Sequence, residues 1–135
     1  MNLDKTYKEM LIKEIKFVLK KMKEEKEPKE KLYYFSAIFG IMHRIYNLEY
    51  SSDLVFTHFV LSSIHSQINS RIQIPDDTIK IPDELFQKLE ETTGKLLSAI
   101  EKDENLYEVL KKFTVLGYVT IGNGYYLYQK GQLKL

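Results

Sequence analysis

The sequence predicts a mainly α-helical protein, with three N-terminal helices followed by a small C-terminal unit that ends in a β-hairpin. Apolar residues recur every three or four positions over most of the chain, which is the period of an amphipathic helix. Near the C-terminus, Asn123–Gly124 lies between two short runs of aromatic and β-branched residues, a pattern typical of a hairpin turn. A stretch with two prolines, Pro75 and Pro82, separates the two parts.

The composition is that of a globular chain with a substantial core. Of its 135 residues, 44% are hydrophobic and 29% are charged. The absence of cysteine excludes disulfides and thiolate metal sites. With 20 basic and 19 acidic residues, the overall charge does not by itself mark a nucleic-acid-binding protein. The abundance of lysine and glutamate, without cysteine or tryptophan, is typical of thermophile proteins.

No segment of the sequence has the pattern of a signal peptide or of a membrane span. The N-terminal residues alternate charged and apolar side chains. The longest apolar-rich run extends from Leu32 to Met42 and is followed at once by His43 and Arg44. Because a membrane-spanning helix needs about 20 apolar residues, we expect no membrane association and a cytoplasmic location.

The first two helices are predicted from their apolar patterns. In the first, an apolar stripe with spacings of three and four lies opposite a face of lysine and glutamate; it comprises Leu3, Tyr7, Leu11, Ile15, Val18 and Met22. Pro28 then precedes a second helix over residues 29–48, which is apolar on nearly all sides. Gly40 in its middle predicts the close approach of another helix.

The second helix is also the predicted interface. A helix that is apolar on all sides is either buried or leaves one face for a partner, and tyrosine, phenylalanine and methionine are enriched at protein contacts. The candidate interface residues are Tyr33, Phe35, Phe39, Met42 and Tyr46. We therefore expect a homodimer, or a complex with a protein partner, formed through the N-terminal helices.

The remaining elements are predicted from capping and turn residues. Ser51, Ser52 and Asp53 are suited to capping a third helix. The proline-rich stretch that follows, which contains Asp76, Asp77 and Asp83, predicts a boundary between residues 1–74 and residues 82–135, although one compact domain overall also fits. A fourth helical pattern is expected to break between Thr92 and Gly94. A fifth helix, at about 104–116, is expected to end at Gly117 as a C′ glycine.

The sequence contains no constellation that predicts catalysis, a metal or a cofactor. His58 and His65 are seven residues apart on one predicted helix, and this spacing separates them by about 10 Å along its axis, too far to share one zinc ion. No serine lies in a nucleophile elbow, and no glycine-rich loop could hold phosphate. We therefore expect a non-catalytic protein.

Two segments at the C-terminus resemble a known family. The run VLKKFTVLGYV, from Val109 to Val119, is similar to the end of a winged helix-turn-helix recognition helix as it enters the wing. The run GYYLYQKGQLKL, from Gly124 to Leu135, is similar to the second strand of the wing. The resemblance covers Asp83 to Leu135 and implies a DNA-binding regulatory protein with a dimerising N-terminal region.

The resemblance also implies which residues would contact DNA. The last helix would enter the major groove and the wing would contact a neighbouring groove or phosphates. Tyr107, Lys111 and Lys112 would face DNA from the helix, with Asn123 and Lys130 on the wing.

A second interpretation involves no DNA. Four acidic residues lie at the start of the proposed recognition helix, where phosphate would approach: Glu101, Asp103, Glu104 and Glu108. The hairpin would then cover the open end of a helical bundle. On this interpretation the protein is a helical subunit of a larger assembly that contacts other proteins. The sequence leaves both functions open.

Overall fold

The computed structural model describes residues 1–73 and 81–135, and within them it contains six α-helices and no strand. The helices are α1 (Lys5–Glu24), α2 (Pro28–Leu48), α3 (Ser52–Ile72), α4 (Asp83–Glu101), α5 (Tyr107–Tyr118) and α6 (Gly122–Gln129). The mainly α prediction is confirmed. The part of the predicted loop that contains Pro75, Asp76 and Asp77 lies outside the described residues.

The predicted features of the first three helices are largely confirmed. The apolar stripe of α1 is buried from Leu11 to Met22. Ser51 caps α3, since its hydroxyl accepts a hydrogen bond from the Leu54 amide at 3.3 Å. These features depend on residues within one helix, which is why the sequence alone reveals them.

The helices pack around one hydrophobic core. Helix α2 lies between α1 and α3, while α4 contacts α1 and α5 contacts α3. Phe35 of α2 and Phe113 of α5 are both fully buried, and their ring centres are 5.9 Å apart. Helices from residues 1–73 and from residues 81–135 therefore contribute to the same core.

The predicted C-terminal β-hairpin is wrong. Asn123–Gly124 lies inside α6. A type I′ turn needs positive φ at both central residues, whereas Gly122 has positive φ (46°) and Asn123 and Gly124 do not. Gly124 is buried, and a Cβ atom on it would lie 2.1 Å from the carbonyl oxygen of Tyr118. This glycine allows α6 to pack against the end of α5, a tertiary requirement that local turn chemistry does not reveal.

The predicted roles of two other glycines are also wrong. Gly117 lies within α5 rather than after it. Its missing side chain makes room for α3, because a Cβ atom there would lie 2.4 Å from Ile64 Cγ2 and 2.1 Å from Gln67 Oε1. At Gly40 none of the other described helices approaches closely, and beyond the adjacent backbone of α2 the nearest described atom to an added Cβ would be Arg44 Nη1 at 3.9 Å.

The predicted break in the fourth helix is absent, since α4 is continuous through Gly94. The hydroxyls of Thr92 and Thr93 donate to the carbonyl oxygens of Lys88 and Leu89, one turn earlier, at 2.6 and 2.7 Å. Both threonines are buried. Tertiary packing therefore outweighs their weak helix propensity.

None of the helices in the described ranges combines the length and the apolar character that a bilayer span requires.

Candidate functional site

The five residues predicted to contact DNA are all exposed, and two of them, Tyr107 and Lys111, lie against each other. The ammonium of Lys111 is 5.2 Å from the centre of the Tyr107 ring and 3.4 Å from Glu108 Oε1. Lys112 lies instead beside α4, where it lines a pocket. On α6, Asn123 contacts the Tyr118 hydroxyl at 3.5 Å, and Lys130 lies 5.5 Å from the Tyr126 ring centre. Residues 122–129 form α6, so the part of the chain predicted to be a wing does not align these residues along a DNA groove.

Only three of the five predicted interface residues on α2 are accessible. Phe35 and Met42 are fully buried because α2 is the central helix between α1 and α3. Tyr33 is exposed, and Phe39 and Tyr46 are half-buried. A partner on α2 could therefore reach Tyr33, Phe39 and Tyr46 but not the other two.

The outward side of α3 is a candidate interface that the sequence analysis missed. Its exposed positions follow helical spacing and include Phe56, Phe59, Ser63, Ser66 and Ser70, which we call the α3 face. The side chains of Phe56 and Phe59 are 54% and 66% exposed. Between Asp53 and Arg71 the helix contains no Asp, Glu, Lys or Arg, although 29% of the chain is charged. Depletion of charge with enrichment of aromatic residues is typical of the centre of an interface.

A groove runs beside the α3 face, between α3 and the C-terminal end of α5. Its volume is about 370 Å³. From α3 it is lined by Phe59, Ser63 and Gln67, and from the other side by Tyr118 and Ile121. The close approach of α5 to α3 at Gly117 brings these two walls together. An exposed aromatic side chain and a largely apolar groove therefore adjoin on one surface.

Next to the α3 face, histidines and aromatic rings of α2 and α3 form a cluster, in which the His58 ring centre is 6.1 Å from that of Phe59. The Phe39 ring centre is 5.9 Å from that of His58 and 5.3 Å from that of His65. His43 lies 5.6 Å from His58, centre to centre. Burial lowers the pKa of His58, and the charge of His43 lowers it further. Burial also lowers the pKa of His65, against a smaller opposing effect of a backbone hydrogen bond with Leu32.

The three histidines of this cluster do not have the arrangement of a metal site. Within residues 1–73 and 81–135, no group of three His, Asp or Glu side chains is arranged to hold a metal ion.

We expect the two half-buried histidines, His58 and His65, to make folding stability depend on pH. Because their folded-state pKa values lie below the ordinary value of 6.5, the unfolded chain binds more protons than the folded chain just below that pH. Stability should therefore be fully present above pH 6.5 and decrease as the pH falls toward the folded-state values. Thermal unfolding at about pH 7.5 and about pH 5.5 measures the decrease. The double variant His58→Asn, His65→Asn should reduce it, and an equal decrease in the variant would contradict the assignment.

No family model, curated protein or solved structure matches this chain. Its function is therefore inferred from the surfaces described above.

Proposed function

We propose that this protein is a non-catalytic helical interaction protein that self-associates, with the α3 face of one copy packed against the α3 face of another. The observation that carries the proposal is the exposed, charge-free α3 face with its two phenylalanines, Phe56 and Phe59. The proposal follows the protein-interaction function predicted from the sequence, but it places the contact on α3 rather than on α2.

The two phenylalanines supply a driving force for association. A phenylalanine exposed to this degree leaves on the order of 100 Å² of apolar surface in water, and burying it contributes about 2.5 kcal/mol. The four rings of a dimer would contribute about 10 kcal/mol, against an association cost estimated at between about 4 and 15 kcal/mol. Close packing of the rest of the face is therefore also required.

The features of the face suit a second copy of the same chain. A twofold interface uses the same surface on both subunits, so that surface must be complementary to itself. The α3 face has no charge that would repel its copy, and a projecting Phe59 ring adjoins the apolar groove. The Ser70 hydroxyl donates to the Ser66 carbonyl oxygen at 2.9 Å, so its burial would not leave the hydroxyl without an acceptor.

The test is the mass of the protein in solution for the wild type and for Phe59→Glu. The wild type should sediment as a dimer of the 16.0 kDa chain. Phe59→Glu places two charges in the interface and removes two apolar contacts, so the dissociation constant should rise at least about 100-fold. Analytical ultracentrifugation over a concentration series measures both constants.

The matched control is Tyr33→Glu, which introduces the same charge at an aromatic residue of α2 that is 69% exposed. It should leave the dimer intact. Circular dichroism should show the same helix content in both variants. A wild type that stays monomeric at about 100 μM would overturn the proposal, and so would equal weakening by the two substitutions.

DNA binding stays a prediction, as does the cytoplasmic location. The resemblance to a winged helix-turn-helix depended on a C-terminal hairpin, and residues 122–129 form α6 instead. Lys111 and Lys112 remain exposed on α5, so the DNA-binding prediction can be tested by duplex binding at low salt.

A further inference from the structure

A second pocket, formed by α4, α5 and the C-terminal segment, contains an unusual concentration of lysine. Its volume is about 310 Å³. Four lysines line it: Lys88 and Lys95 of α4, Lys112 of α5, and Lys134. We call it the lysine pocket. The formal net charge of the whole chain is only +1, so this local excess of positive charge does not follow from the composition.

Lysines outnumber acidic side chains four to one in the lining of the lysine pocket. The acidic residue is Glu91, whose carboxylate lies 3.4 Å from the Lys88 ammonium and whose charge also acts on Lys95. In the described parts of the chain, no carboxylate lies within 4.0 Å of the ammonium groups of Lys95, Lys112 or Lys134. Within those residues, three ammonium groups of the pocket are therefore outside any ion pair.

Two of these lysines are held close together by the fold. Lys95 and Lys112 belong to different helices, and their proximity results from the packing of α4 against α5. The neighbouring Lys112 amine lowers the pKa of Lys95, and burial adds a smaller effect in the same direction, while the charge of Glu91 opposes both. Two like charges at close range repel one another, and a bound anion would relieve this repulsion.

We propose that the lysine pocket binds a small molecule with several phosphate groups, such as a nucleoside polyphosphate. Lys95, Lys112 and Lys134 would contact the phosphate oxygens, since an ammonium group binds phosphate as a point charge. Val115 and Leu116 line the same pocket and would contact the apolar part of the ligand. A single carboxylate would neutralise only one of the three ammonium groups, which favours an anion of higher charge.

The shape of the site favours a small molecule over a nucleic acid. A protein that follows the backbone of a duplex needs an extended basic stripe, whereas these lysines all line one pocket. Glu108, which does not line the pocket, is exposed one turn before Lys112 on α5. Its carboxylate would oppose an extended phosphate backbone.

Isothermal titration calorimetry of the wild type with tripolyphosphate, and separately with ATP, tests the proposal. The ionic strength should be about 50 mM, because surface electrostatic interactions are strong at low salt. We expect both to bind, and ATP to bind at least as tightly because it also contacts Val115 and Leu116. The variant Lys95→Gln, Lys112→Gln should weaken both affinities more than about tenfold. The matched control is Lys13→Gln, Lys23→Gln, which removes the same charge from exposed positions of α1 and should retain wild-type affinity.

Stability without ligand provides a second, independent measurement. The substitution at Lys95 and Lys112 removes a like-charge repulsion, so the variant should melt at the same temperature as the wild type or higher while losing the ligand-induced increase. A variant that loses affinity through misfolding would instead melt lower. Phe59→Glu should bind tripolyphosphate as the wild type does, which separates this proposal from self-association.

Three results would overturn the proposal. The first is no binding of either anion to the wild type at low ionic strength. The second is equal loss of affinity in the two double lysine variants, which would indicate a general charge effect. The third is binding of a DNA duplex without binding of tripolyphosphate, which would assign these lysines to nucleic-acid contact instead.

Discussion

Replacing Phe113 by alanine should lower the free energy of unfolding by about 3–5 kcal/mol, the usual cost of removing a fully buried aromatic ring. Phe113 of α5 is completely buried and contacts Phe35 of the central helix α2. Because both rings belong to one core shared by helices from both parts of the chain, we expect the loss to affect the whole chain. Unfolding should remain a single transition at lower denaturant concentration.

Hydrogen exchange in the native state measures this effect helix by helix. In Phe113→Ala, the slowest amides of α1, α2 and α3 should lose protection by the same free energy as those of α4 and α5. The control is Tyr107→Ala on the same helix, where the ring is 58% exposed and the change should be within about 0.5 kcal/mol. If α1 to α3 kept wild-type protection, residues 1–74 and 82–135 would be independent units, as the proline-rich stretch predicts.

Gly117→Ala should destabilise the protein by about 1–3 kcal/mol, the usual range for overpacking. A Cβ atom at Gly117 would lie 2.4 Å from Ile64 Cγ2 and 3.3 Å from Ile64 Cβ. The flexible Gln67 side chain, also in the way, can rotate aside, but the β-branched Ile64 has few alternative rotamers. Helices α3 and α5 must therefore separate slightly, which outweighs the gain in helix propensity of up to about 1 kcal/mol.

The chain provides a matched control in Gly94→Ala. Gly94 also lies inside a helix, but beyond the adjacent residues and backbone of α4 itself no atom of the described chain lies within 4 Å of an added Cβ. That substitution should stabilise the protein by up to about 1 kcal/mol. Urea denaturation of both variants gives the comparison. Equal changes in the two would show that α5 does not approach α3 as closely as the packing at Gly117 requires.

Local sequence signals predicted much of this fold. The stripe from Leu11 to Met22 and the cap at Ser51 depend on residues within a few positions of one another, so periodicity and capping chemistry suffice to find them. The hairpin prediction relied on equally local chemistry and was wrong. Asn123–Gly124 satisfies the rules of a turn, but the structure requires glycine at position 124 because a side chain there would collide with the Tyr118 backbone, against which α6 packs. The sequence alone does not distinguish these two uses of glycine.

The candidate functional surfaces could also be predicted from the sequence only in part. Because α2 has apolar residues on all sides, its sequence does not distinguish the residues that face the core from those that face outward. Phe35 and Phe39 are therefore equivalent in the sequence pattern, although only Phe35 is fully buried. For α3 the sequence did contain a signal of an interface, because the stretch between Asp53 and Arg71 has no charged residue and carries phenylalanines at positions outside the buried stripe of the helix. For Lys95 and Lys112 no signal existed, since they meet only through the packing of α4 on α5.

The absence of charge on the α3 face has a further consequence. Dissolved ions weaken an interaction by screening its charges, and between two α3 faces there is nothing for them to screen. The lysine pocket is the opposite case, because its attraction for phosphate is coulombic. Ionic strength would therefore set the occupancy of the pocket while leaving the assembly of the subunits almost unchanged. The protein would then keep the same oligomeric state while the pocket binds and releases its ligand.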